Sequence, residues 1–353
     1  MERVTLLCGT TKGLFILTGR QDWRVDGPFC DGMSINHAIA KGETIWAAGG
    51  GGWFAPGVWR RSDGLWTMSG DGFDEDVQSV WSLAFDGDRL LAGTKPAALY
   101  ESRDDGQTWT KLPALHDVPG ADQWQPGAAG LVLHTILSDA NGGLWVGISA
   151  AGVFHSADGG ASWAQMNRRS NRPGPAGTLP RDWGDGVEFR REDEIFSCVH
   201  NMMLGAAPGL IYMQNHQGVY RSRDGAQSWE EVTEGLPSTF GFPIGAHPRD
   251  PGTIWTFPLN GDIKGRFPPE AQAAVWRSRD GGETWQDLRE GLPQKDCFFT
   301  VLRQALAVGQ AEPVAVYFGT NSGSVFASRD EGDRWDEIAR HLPTILSVEV
   351  AQA

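Results

Sequence analysis

One eight-residue pattern, Ser-x-Asp-x-Gly-x-x-Trp, recurs five times and limits the fold of this chain more than any other feature. The copies run from Ser102 to Trp109, Ser156 to Trp163, Ser222 to Trp229, Ser278 to Trp285 and Ser328 to Trp335, with Asp104, Asp158, Asp224, Asp280 and Asp330 at the third position. Ser and Asp side chains accept hydrogen bonds from nearby backbone N–H groups and hold a tight turn. The Gly permits a positive φ. The Trp then buries a large ring at the start of the following strand. One copy departs from the pattern, with Ala226 in place of the Gly, and this predicts a distorted turn there.

Two short apolar runs precede every copy, for example Gly143-Leu-Trp-Val-Gly147 and Gly152-Val-Phe154 before the second. Such runs, bounded by Gly, Asp and Asn at regular spacing, read as antiparallel strands. The repeat tryptophans Trp109, Trp163, Trp229, Trp285 and Trp335 are separated by 54, 66, 56 and 50 residues. Periods of this size mark the four-stranded blades of a propeller. Two weaker units, around Trp59 to Trp66 and from Val4 to Phe15, raise the count to seven blades of about 50 residues each. The chain opens in what reads as a second strand and closes with Ile345 to Val350, which reads as a first strand. The two ends are therefore expected to share one blade, leaving no open sheet edge. The prediction is an all-β, monomeric, seven-bladed β-propeller, with residues 1–353 forming one domain.

At this point the chain resembles the BNR/Asp-box propellers: sialidases, sortilin-type receptors, xyloglucanases and photosystem assembly factors. It looks most like bacterial single-propeller proteins labelled "exo-alpha-sialidase" or "glycosyl hydrolase, BNR repeat". The resemblance covers the whole chain and implies the fold, but enzymes and pure binding proteins share the motif. Sialidase chemistry needs three arginines on the substrate carboxylate, a Tyr nucleophile paired with Glu, and an Asp acid/base. Here the first unit offers only Arg3 and Arg20, and Tyr100, Tyr212, Tyr220 and Tyr317 all fall inside repeat strands. No sialidase residue carries over, and a true sialidase is not expected.

A net charge of −14 argues against nucleic acid and anionic membrane surfaces as partners. No leader-like segment follows Met1 and no apolar run is long enough to span a bilayer, so the expected location is cytoplasmic. Cys8, Cys30, Cys198 and Cys297 show no C-x-x-C spacing and are expected as thiols rather than a disulfide framework.

In a propeller, the blade-to-blade connections and the turns between second and third strands gather on one face, and the Asp-turns lie on the other. The repeat residues are thus scaffold. The ligand face is expected to carry Lys12, Trp53, Asp76, Lys95, Trp183, Glu192, His216, Asp262, Lys264 and Arg266. An Arg-, Pro- and Gly-rich insertion from about residue 167 to 197 is a candidate lid over that face. Trp53, Trp81, Trp124 and Trp183 are candidates for stacking on a sugar ring. Counting back from the second strands places His37, His134 and His200 at one register of the innermost strands, with Ser82 in the blade between. Imidazoles converging on a channel can bind a divalent metal or act as acid and base. The plainer alternative is that they hydrogen-bond backbone and water in the channel.

Whether the chain is a catalyst stays open at this stage. The favoured reading is a ligand- or protein-binding or assembly module that uses this face for a small molecule, glycan or small protein, with no cofactor certain. The alternative is a glycosyl hydrolase-like or metal-dependent hydrolase or lyase using channel histidines or a pair of face carboxylates among Asp76, Asp122, Asp185, Glu188, Glu192 and Asp262.

Overall fold

The computed structural model describes residues 3–170 and 194–351. Trp183 and Glu192, with Asp185 and Glu188, fall outside the described residues, as does the body of the predicted lid. The two ends of that insertion lie side by side: Ile195 N–H donates to Asn167 O at 2.8 Å, and Arg168 bridges Glu194.

Seven four-stranded antiparallel sheets form the ring. Their innermost strands are Ile345–Val350 in blade 1, Ile35–Lys41 in blade 2, Ser79–Asp86 in blade 3, Val132–Ser138 in blade 4, Val199–Leu204 in blade 5, Gly241–Ala246 in blade 6 and Leu306–Val308 in blade 7. Blade 1 closes as expected, the C-terminal strand pairing with Val4–Thr10 through Leu6↔Val350, Leu7↔Glu349 and Cys8↔Val348. Pairing the two ends of the chain removes the exposed edges that an open ring would leave for aggregation. Burial peaks in the second strands and falls toward the rim. The second strand of blade 4, Leu144–Ser149, is buried throughout, whereas its outermost strand, Ala164–Gln165, is exposed. The core lies between blades, its largest cluster running from Phe242 and Trp255 of blade 6 through Phe318 of blade 7 to Leu6 of blade 1.

The repeat turns are alike in detail. In the first, Ser102 Oγ donates to Asp104 Oδ1 at 2.8 Å and accepts Gly106 N–H, while Asp104 accepts Thr108 N–H and its hydroxyl. These bonds, led by Thr108, hold the Asp104 carboxyl down to about 2. Ala226 does not distort its turn. It takes φ +73 beside +87 for Gly106 and +98 for Gly282, and its N–H still reaches Ser222 Oγ at 2.8 Å. The bond set over-determines the backbone, so one Ala is held in a conformation that Gly adopts freely.

Each turn also clasps the preceding blade. The carbonyl just after the repeat Asp accepts a donor from one blade back: Trp46 Nε1 to Asp105 O, Arg89 to Gly159 O, Trp145 Nε1 to Gly225 O, Arg221 to Gly281 O, and Trp255 Nε1 to Glu331 O, all at 2.8–2.9 Å. The motif is therefore a joint between blades as well as a turn.

Candidate functional site

Strand direction separates the two faces. Chain entries to innermost strands and turns between second and third strands share one end of the ring, and the repeat turns take the other. At the first end a cavity of about 100 Å³ opens beside the central channel, walled by residues from blades 4 to 7.

Blade 5 supplies its chemistry. Cys198 precedes the innermost strand and His200 is the strand's second residue; the pairing of this strand slips between Val199 and Asn201, so His200 sits on a bulge. His216 lies in the turn joining Ile211–Asn215 to Gly218–Ser222, and its N–H donates to Cys198 O at 3.1 Å, which stitches the turn to the strand entry. One donor atom from each of Cys198, His200 and His216 lies within 4.8 Å of the others. Ser149 Oγ is 3.1 Å from Cys198 Sγ. Phe240 and Phe242 pack against the two imidazole rings, with Phe242 4.7 Å from His200 and Phe240 4.9 Å from His216.

His200 Nδ1 is 2.6 Å from Gly241 O. A carbonyl only accepts, so Nδ1 carries the proton and Nε2 the lone pair. Burial, reinforced by the charge of Arg303, holds His200 well below the usual imidazole range and keeps it neutral. Asp262 stands behind His216, with Oδ2 3.6 Å from His216 Nε2, and also pairs with Arg266.

Arg303 comes from the entry to blade 7. That blade's innermost strand is only three residues long, and the segment before it crosses the channel instead. Arg303 O accepts Asn201 Nδ2, and Gln304 Nε2 donates to His134 O, both at 2.8 Å. These bonds tie blade 7 to blades 4 and 5 and fix the guanidinium over the Phe242 ring, with Cζ 4.7 Å from its centre. Among the described residues no carboxylate lies within 4.0 Å of it, and its buried Nε has no hydrogen-bond partner. Burial pulls its pKa down to about 10. Among the described residues it is a cation in a cavity wall with no carboxylate in ion-pair contact, Asp262 acting on it only from farther away.

Of the residues expected from sequence, His200, His216, Asp262 and Arg266 meet here. The other two channel histidines do not join this cluster. His37 sits one step further along its strand than His134 and His200. It pairs with Ala48 beyond the bulge, in register with Ser82, Thr135 and Asn201, whereas Asn36 and Trp81 occupy the bulge that His134 and His200 occupy. The turn following the innermost strand is one residue longer in blade 4 (Ser138↔Leu144) than in blade 2 (Ala40↔Ile45), where counting back had assumed two. His37 Nδ1 accepts Leu83 N–H at 3.0 Å, and burial lowers it to about 4. His134 lies edge-on to Trp81 and is held well below its usual range by burial and Arg303. Lys12, Trp53, Asp76, Asp122 and Lys264 are exposed, and Lys95 is half-buried. Trp124 packs on Phe154, 5.0 Å away, as core rather than as a stacking platform. The four tyrosines are buried in the blades, as expected. Cys198 and Arg303 were not singled out from sequence. The Cys198-x-His200 spacing was a usable signal, and nothing local to Arg303 was.

A larger cavity, about 760 Å³, lies at the closure seam between Arg3, Trp23, Glu43, Glu312 and Tyr317. Six blades have a turn joining first to second strand at this end of the ring; blade 1 has two chain ends instead.

No family model matches the chain. It is similar in sequence to xyloglucanases and to Ycf48. An oligoxyloglucan-reducing end-specific xyloglucanase of Emericella nidulans is 23% identical over 235 residues, 58% of this chain and 26% of the xyloglucanase. The photosystem II assembly lipoprotein Ycf48 of Synechococcus sp. (strain CC9902) is 24% identical over 244 residues, 64% of this chain and 66% of that protein. The chain thus spans about a quarter of the xyloglucanase and under two thirds of Ycf48. A solved structure of YCF48 bound to D1 peptide superposes with a TM-score of 0.57 at 15% identity, covering 86% of this chain and 81% of that one. This likeness is one of fold.

Proposed function

We propose that the protein is a binding module that takes an anionic end group of a small molecule, a glycan or a partner's chain at the channel mouth, opposite the repeat turns. The observation that carries this reading is Arg303. A guanidinium buried in the wall with no carboxylate in contact among the described residues is destabilising unless a ligand neutralises it, and its planar fork suits a carboxylate or phosphate. The cavity is well below the several hundred Å³ of pockets that engulf a whole small molecule, so the group enters and the rest of the ligand stays outside. In our reading the chain is an Asp-box propeller, which its repeat turns support, and the peptide on YCF48 is a precedent for the binding role. A glycosidase would need two carboxylates. Among the described residues the cavity walls offer none, and Asp262 behind them is engaged with Arg266 and His216.

The test is a thermal-shift and calorimetric panel of acetate, succinate, phosphate and a short peptide in two forms, one with a free C-terminal carboxylate and one amidated. The acids are expected to raise Tm by mass action, and the amidated peptide is expected to bind more weakly than its partner. Equal binding of the two peptides with no response to phosphate would overturn the anion reading. Turnover of a fluorogenic glycoside panel would replace it with a hydrolase.

A further inference from the structure

We propose that Cys198, His200 and His216 form a binding site for a divalent cation of the zinc class. Thiolate and imidazole are the ligands that zinc prefers, and a tetrahedral ion would set these donor atoms roughly 3.3–3.6 Å apart. Their present spread, within 4.8 Å, closes on an ion by small side-chain rotations.

Both imidazoles are oriented as metal ligands usually are. His200 donates its Nδ1–H to the Gly241 carbonyl, which fixes the tautomer with the lone pair on Nε2. His216 Nε2 stands 3.6 Å from the Asp262 carboxylate, and in the proposed site Nδ1 is its ligand atom. A backbone carbonyl hydrogen-bonded to one histidine holds its ring and raises its basicity, and a carboxylate 3.6 Å behind the other is placed to do the same once an ion binds. Phe240 and Phe242 shield the cluster from bulk water. The backbone bond from His216 to Cys198 holds two of the three ligands at a set separation before any ion arrives.

Three protein ligands leave a zinc ion a fourth coordination position, the pattern of sites that bind an exchangeable group rather than purely structural ones. One thiolate on a divalent ion leaves a net positive charge, and Arg303 shares the same cavity wall. The fourth position is therefore suited to an anion. This inference does not depend on the anion reading, because cation binding is measured with no anionic ligand present.

The experiment uses the full-length chain, stripped with a chelator and titrated with cobalt(II) as a spectroscopic stand-in for zinc. One equivalent per chain is expected to give a thiolate-to-cobalt charge-transfer band with the visible bands of a tetrahedral ion, both lost on adding zinc. Asp262→Asn is expected to weaken cobalt binding about 10–100-fold while keeping the spectrum, the usual effect of removing a ligand's supporting partner. Cys198→Ser is expected to lose the charge-transfer band and to bind more weakly still. His216→Ala, on a surface turn, decides the matter if Cys198→Ser fails to fold, and is expected to lose more than tenfold. Cys297→Ser should keep the band, and Arg303→Gln should keep cobalt binding while losing anions. A stripped wild-type chain showing no thiolate band at one equivalent would overturn the proposal, as would a band unchanged in both Cys198→Ser and His216→Ala.

Discussion

The repeat turns and the channel mouth sit at opposite ends of the same strands and follow opposite rules. At the turns, five copies of one core hydrogen-bond set recur, and the carbonyl after each Asp accepts an interblade bond from a Trp or an Arg. At the mouth, the equivalent bulge position is Asn36, Trp81, His134 and His200 in successive blades, a different chemistry in almost every one. Repetition marks what every blade needs in order to join its neighbour. Departure from repetition marks what only one place in the ring needs. In a molecule built by repeating a unit, residues that break the repeat are the better guide to a site.

Trp229→Ala tests the comparison most severely. Trp229 is fully buried, and its Nε1–H reaches Met166 O at 2.7 Å. Its loss should destabilise the fold by about 3–5 kcal/mol in denaturant unfolding while leaving ligand affinity of the folded fraction unchanged. A change in affinity would show that the two faces are coupled.

Between pH 6.5 and 4 acid is expected to act through the channel, and only below that through the turns, whose aspartates are held low. His37 is lowered to about 4, and His134 and His200 lie well below their ordinary value. These groups are neutral in the folded state and protonate more readily in the unfolded chain. Their contribution is present above the unfolded pKa near 6.5 and is lost as pH falls from there toward 4. Unfolding free energy measured across that window should drop, and the drop should shrink in His37→Gln. A flat profile would contradict the burial of neutral imidazoles.

Trp145→Phe removes one interblade donor, the 2.9 Å bond to Gly225 O, and should reduce stability by about 1 kcal/mol. No change would mean that the clasp is replaced by solvent without loss.

The smallest effect belongs to Glu349, which faces His37 across 4.0 Å and is pushed up to about 7 by burial in the channel. A raised carboxyl favours its neutral form in the folded state, so it weakens folding as pH rises from about 4.5 through 7. With two fifths of its side chain still exposed, water moderates the penalty. Glu349→Gln should be slightly more stable than wild type at pH 8 and no different at pH 4. The reverse order would place the carboxylate in a favourable ion pair instead.

The blades were legible in the sequence because the determinants of each turn lie within a few residues: Ser102, Asp104 and Gly106 bond one another with no help from elsewhere. Closure was legible because a chain that begins on a second strand and ends on a first has one way to complete the ring. The register of His37 was not, because one residue more or less in a hairpin decides which side chain meets the channel. His216, Asp262 and Arg266 were assigned to one face by counting turns, but their meeting with Cys198 and Arg303 depends on blades 5, 6 and 7 curving onto one axis. Arg303 in particular leaves its own blade to cross the channel, and no local pattern announces that path.

The most direct test of the mouth as the working face is calorimetric titration of one carboxylate-ended ligand into wild-type protein, Arg303→Gln and Trp145→Phe side by side. The expected result is binding lost in Arg303→Gln, whose folding stability is unchanged or raised by removal of a desolvated cation, and binding kept in Trp145→Phe. Equal affinity for wild type and Arg303→Gln would contradict the assignment of function to this face.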